Sequence, residues 1–160
     1  MKELVGIAEQ VAAKLIARKQ TVAIAESSAG GLISASLLAV PGASAYYLGG
    51  AVVYTRDARR VLMDISDDGM KGFRSSSEPY AQLLAEQMRT RFHSDWGLSE
   101  TGAAGPTGNR YGDAAGHSCM AVAGPASEVM TLETDSNDRF ANMQMFAATA
   151  LRLLLRKLEG

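Results

Sequence analysis

Apolar residues at Leu4, Ile7, Ala8, Val11, Leu15 and Ile16 recur three and four positions apart, which predicts a helix over Lys2–Lys19 with one buried face. The apolar run Thr21–Ala25 predicts a strand and Leu32–Leu38 a helix. After the Pro41-Gly42 turn, Ala45–Tyr54 is rich in aromatic and branched residues and reads as a strand with a glycine-marked bend. A short helix over Asp57–Met63 follows, then a longer one over Glu78–Phe92, with Tyr80, Leu83, Leu84 and Met88 at helical spacing and Ser76 or Ser77 placed to cap it. Gly97–Thr101, Gly116–Gly124 and Glu128–Leu132 read as strands. The last helix, Asn137–Leu158, carries an apolar stripe of Phe140, Met143, Phe146, Ala147, Ala150, Leu151 and Leu154. Helices alternating with short apolar strands, with no repeat or linker between them, predict a single α/β domain over 1–160: a layered sandwich with a central mixed sheet and helices on its faces.

Composition narrows the function classes. With 47% hydrophobic residues in 160, the chain can fill one core. Sixteen basic against seventeen acidic residues give a net charge of -1, which provides no field for nucleic acid or an anionic membrane. The lone cysteine, Cys119, excludes an internal disulfide framework and a cysteine metal cluster, and neither metal nor cofactor is expected. No cleavable signal or long apolar span is seen, so the expected location is the cytoplasm. The long apolar last helix and the pair Tyr46 and Tyr47 leave room for a homodimer interface.

Candidate chemistry gathers at two loops that follow strands. In Ala25-Glu26-Ser27-Ser28-Ala29-Gly30-Gly31, hydroxyls sit at a strand-to-helix turn, where unpaired amides at a helix start stabilise an anion or a polarised carbonyl. Ser27 or Ser28 there is either a nucleophile or a helix cap. The second loop, Thr101-Gly102-Ala103-Ala104-Gly105-Pro106-Thr107-Gly108-Asn109, has no bulky side chain to keep a ligand from its backbone. Ligands in such sheets collect at strand ends, where both loops fall.

Taken together, the motifs resemble the CinA family, in particular its C-terminal domain and stand-alone relatives of the PncC type. Where members read A-E-S-C-T-G-G, Ala25–Gly31 reads A-E-S-S-A-G-G; Pro41-Gly42-Ala43-Ser44 matches a P-G-A-S segment. Tyr54-Thr55-Arg56-Asp57-Ala58-Arg59 matches a strand ending in tyrosine before a charged helix, and Thr101–Pro106 matches a T-G-x-A-G-P loop. The resemblance implies a metal-independent amidohydrolase that releases ammonia from nicotinamide mononucleotide. It places the nucleophile at Ser27, oxyanion donors on the backbone of Ser28, Ala29, Gly30 and Gly31, and a proton relay at Tyr54. Thr101, Gly102, Ala103 and Gly105 would cradle the substrate, with Arg139 keeping the first place of an R-x-x-x-R pattern in the last helix.

The chain departs from that pattern at its base. Where members carry a lysine five residues after the tyrosine, this chain has Arg59, whose guanidinium stays protonated. Arg59 is then a ligand-holding cation or an ion-pair partner. A loop lysine is replaced by Asp113 and the second helix arginine by Met143, so the site is expected to have lost positive charge. His117 is a substitute base or a histidine held at a sheet end, His93 a helix-end residue and Cys119 an inert strand residue. Met143 and Met145 read as core filler. Two readings follow: an amidase of the nicotinamide-nucleotide type, or a paralogue that keeps the fold and a small-ligand pocket without turnover.

Overall fold

The computed structural model describes residues 1–160. Its strands are β1 (Val22–Glu26), β2 (Tyr47–Val52), β3 (Trp96–Ala103), β4 (His117–Ala123) and β5 (Glu128–Glu133). They form one sheet in the order β2-β1-β3-β4-β5. β1 runs parallel to both β2 and β3, whereas β3, β4 and β5 form an antiparallel meander, so the sheet is mixed as predicted. The helices are α1 (Lys2–Arg18), α2 (Leu32–Leu38), α3 (Arg56–Met63), α4 (Glu78–Phe92) and α5 (Arg139–Glu159).

Alternation along the strands divides the core in two. Val22, Ile24, Trp96, Leu98, Met120 and Val122 point to one face and pack with Leu4, Val11 and Leu15 of α1, Ile33 and Leu37 of α2, and Phe146, Leu151 and Leu154 of α5. The opposite face carries Ala23, Ala25, Cys119, Ala121 and Ala123, all small, and meets α4 with Met63 of α3 alongside. Small residues let α4 lie close: a Cβ added at Gly97 would sit 2.1 Å from the Ala85 carbonyl oxygen. Ser99 on that face donates its hydroxyl to the Ala81 carbonyl at 2.5 Å.

Element ends follow local chemistry, and several depart from expectation. The strand expected from Ala45 starts at Tyr47, because Ala43–Ala45 forms a 3-10 turn after Gly42. β3 runs to Ala103, two residues into the glycine-rich loop, where Gly102 and Ala103 pair with Ser118 and His117. Neither Ser27 nor Ser28 caps α2; Gly31 is its N-cap residue, and the Glu26 carboxylate accepts from three amides of the first turn instead. Ser77 rather than Ser76 caps α4, accepting from the Tyr80 amide at 3.4 Å. Phe140, expected in the buried stripe, and Met145, expected as core filler, are exposed, while Met143 packs against the core. Tyr46 is fully buried and donates its hydroxyl to the Leu37 carbonyl, so it presents no surface to a second subunit. No helix is long and apolar enough to cross a membrane.

Gly97→Ala forces backbone apart where α4 rests on β3. We expect a loss of ~3 kcal/mol, the upper end of typical overpacking costs, and a melting temperature roughly 10 °C lower by calorimetry.

Candidate functional site

Two buried glutamates build the turn after β1. Glu26 ends β1, and its Oε1 accepts from the Gly31 and Ile33 amides at 2.8 and 3.1 Å and its Oε2 from Ser34 at 3.0 Å. The helix dipole favours a carboxylate there. Burial nonetheless raises the Glu26 pKa; the Glu100 charge adds to this, against the lowering effect of the three amides. Glu100, fully buried on β3, reaches across to the same turn. Its Oε1 accepts from the Ser27 and Ala29 amides at 3.1 and 2.8 Å, and its Oε2 from the hydroxyls of Ser28 and Ser118, the latter at 2.8 Å.

This arrangement separates the two serines. Ser28 is buried and its hydroxyl is committed to Glu100. Ser27 faces a cavity, and its hydroxyl makes no hydrogen bond within the protein. The amides expected to serve as oxyanion donors are mostly occupied: Ala29 is bound to Glu100, Gly30 to the Ser27 carbonyl and Gly31 to Glu26. Ser28 keeps the one unpaired N–H among them. Ala29, Gly30 and Gly31 lie away from the cavity wall; Ala29 is core, and Gly30 packs where a Cβ would meet Met143 at 2.7 Å.

The cavity, about 640 Å³, opens at the carboxyl ends of β1 and β3. Ser27, Thr101 and Gly102 form its sheet side, and Val53, Tyr54 and Thr55 lead to α3, which contributes Arg56 and Arg59. Asp67, Met70, Phe73, Arg74, Ser75 and Ser76 form a second wall, completed by Tyr80, Arg110 and Tyr111. Four arginines therefore face the space against one carboxylate, Asp67. Arg56 and Arg59 come from the Tyr54–Arg59 motif, whereas Arg74 and Arg110 come from segments outside the recognisable motifs. Neither lysine nor histidine lines the cavity.

Arg59 is nearly buried. It donates to Asp67 Oδ1 at 2.5 Å and from Nε to the Ile65 carbonyl at 3.3 Å, bracing the chain after α3 against the helix. Tyr54 is 61% exposed at the rim, and its hydroxyl accepts from Arg139 at 3.2 Å. Arg139 also donates to the Gly105 carbonyl at 2.5 Å, so it ties α5 to the glycine-rich loop and does not itself line the cavity. Of that loop only Thr101 and Gly102 reach the cavity. Ala103 does not, and Gly105 packs against Ala115 and Asn137, so its glycine serves internal packing. Thr101, buried, accepts the Ser76 amide at 3.1 Å and holds the second wall to the sheet.

His117 has both nitrogens engaged, with Glu133 at 2.5 Å and the Ser76 carbonyl at 2.7 Å, and it does not face Ser27. It is the histidine held at a sheet end. Asp113 makes a forked pair with Arg74, at 2.8 and 3.3 Å, and so positions a cavity arginine. Cys119 is buried, which raises its thiol pKa and keeps it inert. Burial pushes the Tyr80 phenol up to about 12, against the lowering effect of Arg59, so it is no base near neutrality.

Sequence reasoning missed Glu100, Arg56, Arg74, Arg110 and Tyr111. A single acid near the end of an otherwise apolar strand, in Val22–Glu26 and again in Trp96–Ala103, was a signal for both glutamates. Arg74 and Arg110 had none, because their meeting depends on how two long loops fold, whereas Arg56 stands inside the Tyr54–Arg59 motif. Glu100→Gln sets an amide NH2 against donors; we expect a loss of ~3 kcal/mol in denaturant unfolding.

The model of the CinA C-terminal domain family matches residues 5–158. A CinA-like protein of Desulforapulum autotrophicum is 31% identical over 158 residues, 98% of this chain and 37% of that protein. One from Sulfurihydrogenibium is 46% identical over 101 residues, 62% of this chain and 25% of that protein. The chain thus spans about a quarter to a third of the length of the curated relatives it matches. A competence-damaged protein (CinA) superfamily protein from Klebsiella pneumoniae superposes with a TM-score of 0.90 at 26% identity, covering 98% of both chains. One from Enterobacter cloacae gives a TM-score of 0.88 at 27% identity, covering 97% of this chain and 92% of that one. The chain belongs to the CinA family and has the fold of its C-terminal domain.

Proposed function

We propose that the domain binds a small molecule carrying a phosphate and a planar ring, of the nicotinamide mononucleotide kind, and holds it without the base that would let Ser27 hydrolyse its amide. The observation that carries this reading is the cavity with four arginines and one carboxylate. Guanidinium groups suit phosphate through paired, charge-assisted donors. Phe73 and Tyr111 offer ring faces beside them, and the Tyr111 ring is flanked by Arg74 and Arg110 at 5.3 and 5.1 Å. A ligand with its phosphate on the arginines and its ring between these walls brings a carboxamide to Ser27.

Turnover needs more. Attack of the Ser27 oxygen on the amide carbon requires an acceptor for the serine proton, then a donor to the departing ammonia. Arg59 occupies the expected place of that acceptor, remains protonated, and is bound to Asp67 and the Ile65 carbonyl.

A second reading, a working amidase, is favoured by the free Ser27 hydroxyl and the unpaired Ser28 amide, which together offer a nucleophile and one oxyanion donor. Ammonia release from nicotinamide mononucleotide by wild type and by Arg59→Lys, side by side, separates the two. We expect release only from Arg59→Lys; turnover in wild type that Ser27→Ala abolishes would establish the amidase.

For binding, calorimetry with nicotinamide mononucleotide should give heat with wild type. Arg110→Ala should weaken binding by roughly tenfold or more, the worth of a charge-assisted contact, while Ser27→Ala, which removes one neutral contact, weakens it less. No heat with folded protein would refute the assignment.

A further inference from the structure

We propose that His117 is a proton-controlled clamp on the arginine wall of the cavity, holding the 74–76 and 109–113 segments together while its ring is charged and releasing them when the ring loses a proton. The proposal concerns regulation of the same cavity and rests, for its effect on ligand, on the binding reading above.

The geometry fits a doubly protonated ring. Nε2 lies 2.7 Å from the Ser76 carbonyl oxygen, which only accepts, and Nδ1 lies 2.5 Å from Glu133 Oε1. Both nitrogens donate at once only in the imidazolium. Asp113 Oδ2, 3.6 Å from Nε2, adds attraction from a third side. Loss of one proton leaves a lone pair aimed either at Glu133 or at the Ser76 carbonyl and Asp113, so one of the contacts becomes repulsive.

Those contacts belong to the cavity walls. Ser76 lines the cavity beside Ser75 and Arg74 and takes a positive φ of 58°, an uncommon backbone for serine. Asp113 forks Arg74 and accepts from the Asn109 amide group at 2.9 Å, while the Asn109 side chain in turn accepts from the Tyr111 and Asp113 amides. Arg110 and Tyr111 lie between those anchors and face the ligand space. His117 thus touches both ligand-facing segments from the sheet, beside the Thr101 bond to the Ser76 amide.

The ionisable surroundings come from every side: Asp113 and, through it, Arg74 from the loops, Glu133 from β5, and Cys119 on β4 itself at 3.8 Å. Glu78 of α4 joins through Thr131, which bonds both Glu78 and Cys119. Burial works against charge on the ring, but the Glu133 and Ser76 bonds and the Asp113 charge outweigh it, so the pKa is raised. A raised pKa sets the sign: the clamp is closed below the ordinary histidine range and opens as pH rises through the higher folded value.

The test follows the His117 ring and the Arg74 and Tyr111 amides by NMR in ligand-free protein from about pH 6 to about pH 9. We expect one common midpoint above the ordinary histidine value, and no transition at the Arg74 amide in His117→Gln. Tyr111 also titrates low, because Arg110 hydrogen-bonds its phenol, so Tyr111→Phe must keep the Arg74 transition. Calorimetry above about pH 7, where a phosphate ester is already mostly dianionic, should show nicotinamide mononucleotide affinity falling roughly fivefold or more through that midpoint in wild type and staying flat in His117→Gln. A His117 midpoint at or below the ordinary value, or amides that ignore it, overturns the clamp. Amides that follow His117 with no heat at any pH keep the clamp and overturn the binding reading.

Discussion

A buried carboxylate on β3 that accepts from four donors holds the site together. Glu100 stands among apolar strand residues where an unpaired charge would be very costly, and it is tolerable there because Ser27, Ser28, Ala29 and Ser118 surround it with donors. The same bonds fix the backbone that leaves β1, so the turn cannot drift relative to β3. They also decide which serine is available: Ser28 is spent on the carboxylate, and Ser27 is left at the cavity. With Glu26 holding the start of α2, two acids take most of the amides that a bare helix N-terminus would offer a ligand.

Positive charge is therefore supplied by side chains. The chain as a whole has a net charge of -1, yet the cavity beside Ser27 collects Arg56, Arg59, Arg74 and Arg110. Two acids position these cations more than they cancel them, Asp67 bracing Arg59 after α3 and Asp113 gripping Arg74 from the neighbouring loop. Arg110 has no acidic partner, which leaves it the freest to meet a phosphate. Arg59 is tied to Asp67 and the Ile65 carbonyl, and Asp113 holds Arg74 by two bonds.

Much of the fold was legible because periodicity reports burial directly. Every strand and helix in the sequence reading exists, and the mixed sheet follows from short strands separated by helices and ending in a meander. Boundaries moved where glycines were read as loop: Gly102 lies in β3 because a side chain there would strike the His117 carbonyl at 2.4 Å, a contact between strands that sequence does not display. The site was half legible. Of the residues that the resemblance singles out, Ser27, Tyr54, Arg59, Thr101 and Gly102 line the cavity. Ser28, Ala29, Gly30, Gly31, Ala103, Gly105 and Arg139 do not, since they serve the turn, the packing beneath it and the tie between α5 and the loop. The arginine wall was illegible because Arg56, Arg74 and Arg110 converge only through tertiary contacts such as the Arg74–Asp113 fork.

The most direct measurement is a crystal structure of the protein with nicotinamide mononucleotide. The account predicts the phosphate within hydrogen-bond reach of Arg110 and its neighbouring cavity arginines, and the carboxamide against the Ser27 hydroxyl. A ligand seated elsewhere, or one bound with its phosphate at Ser27 and its ring away from Phe73 and Tyr111, would contradict it.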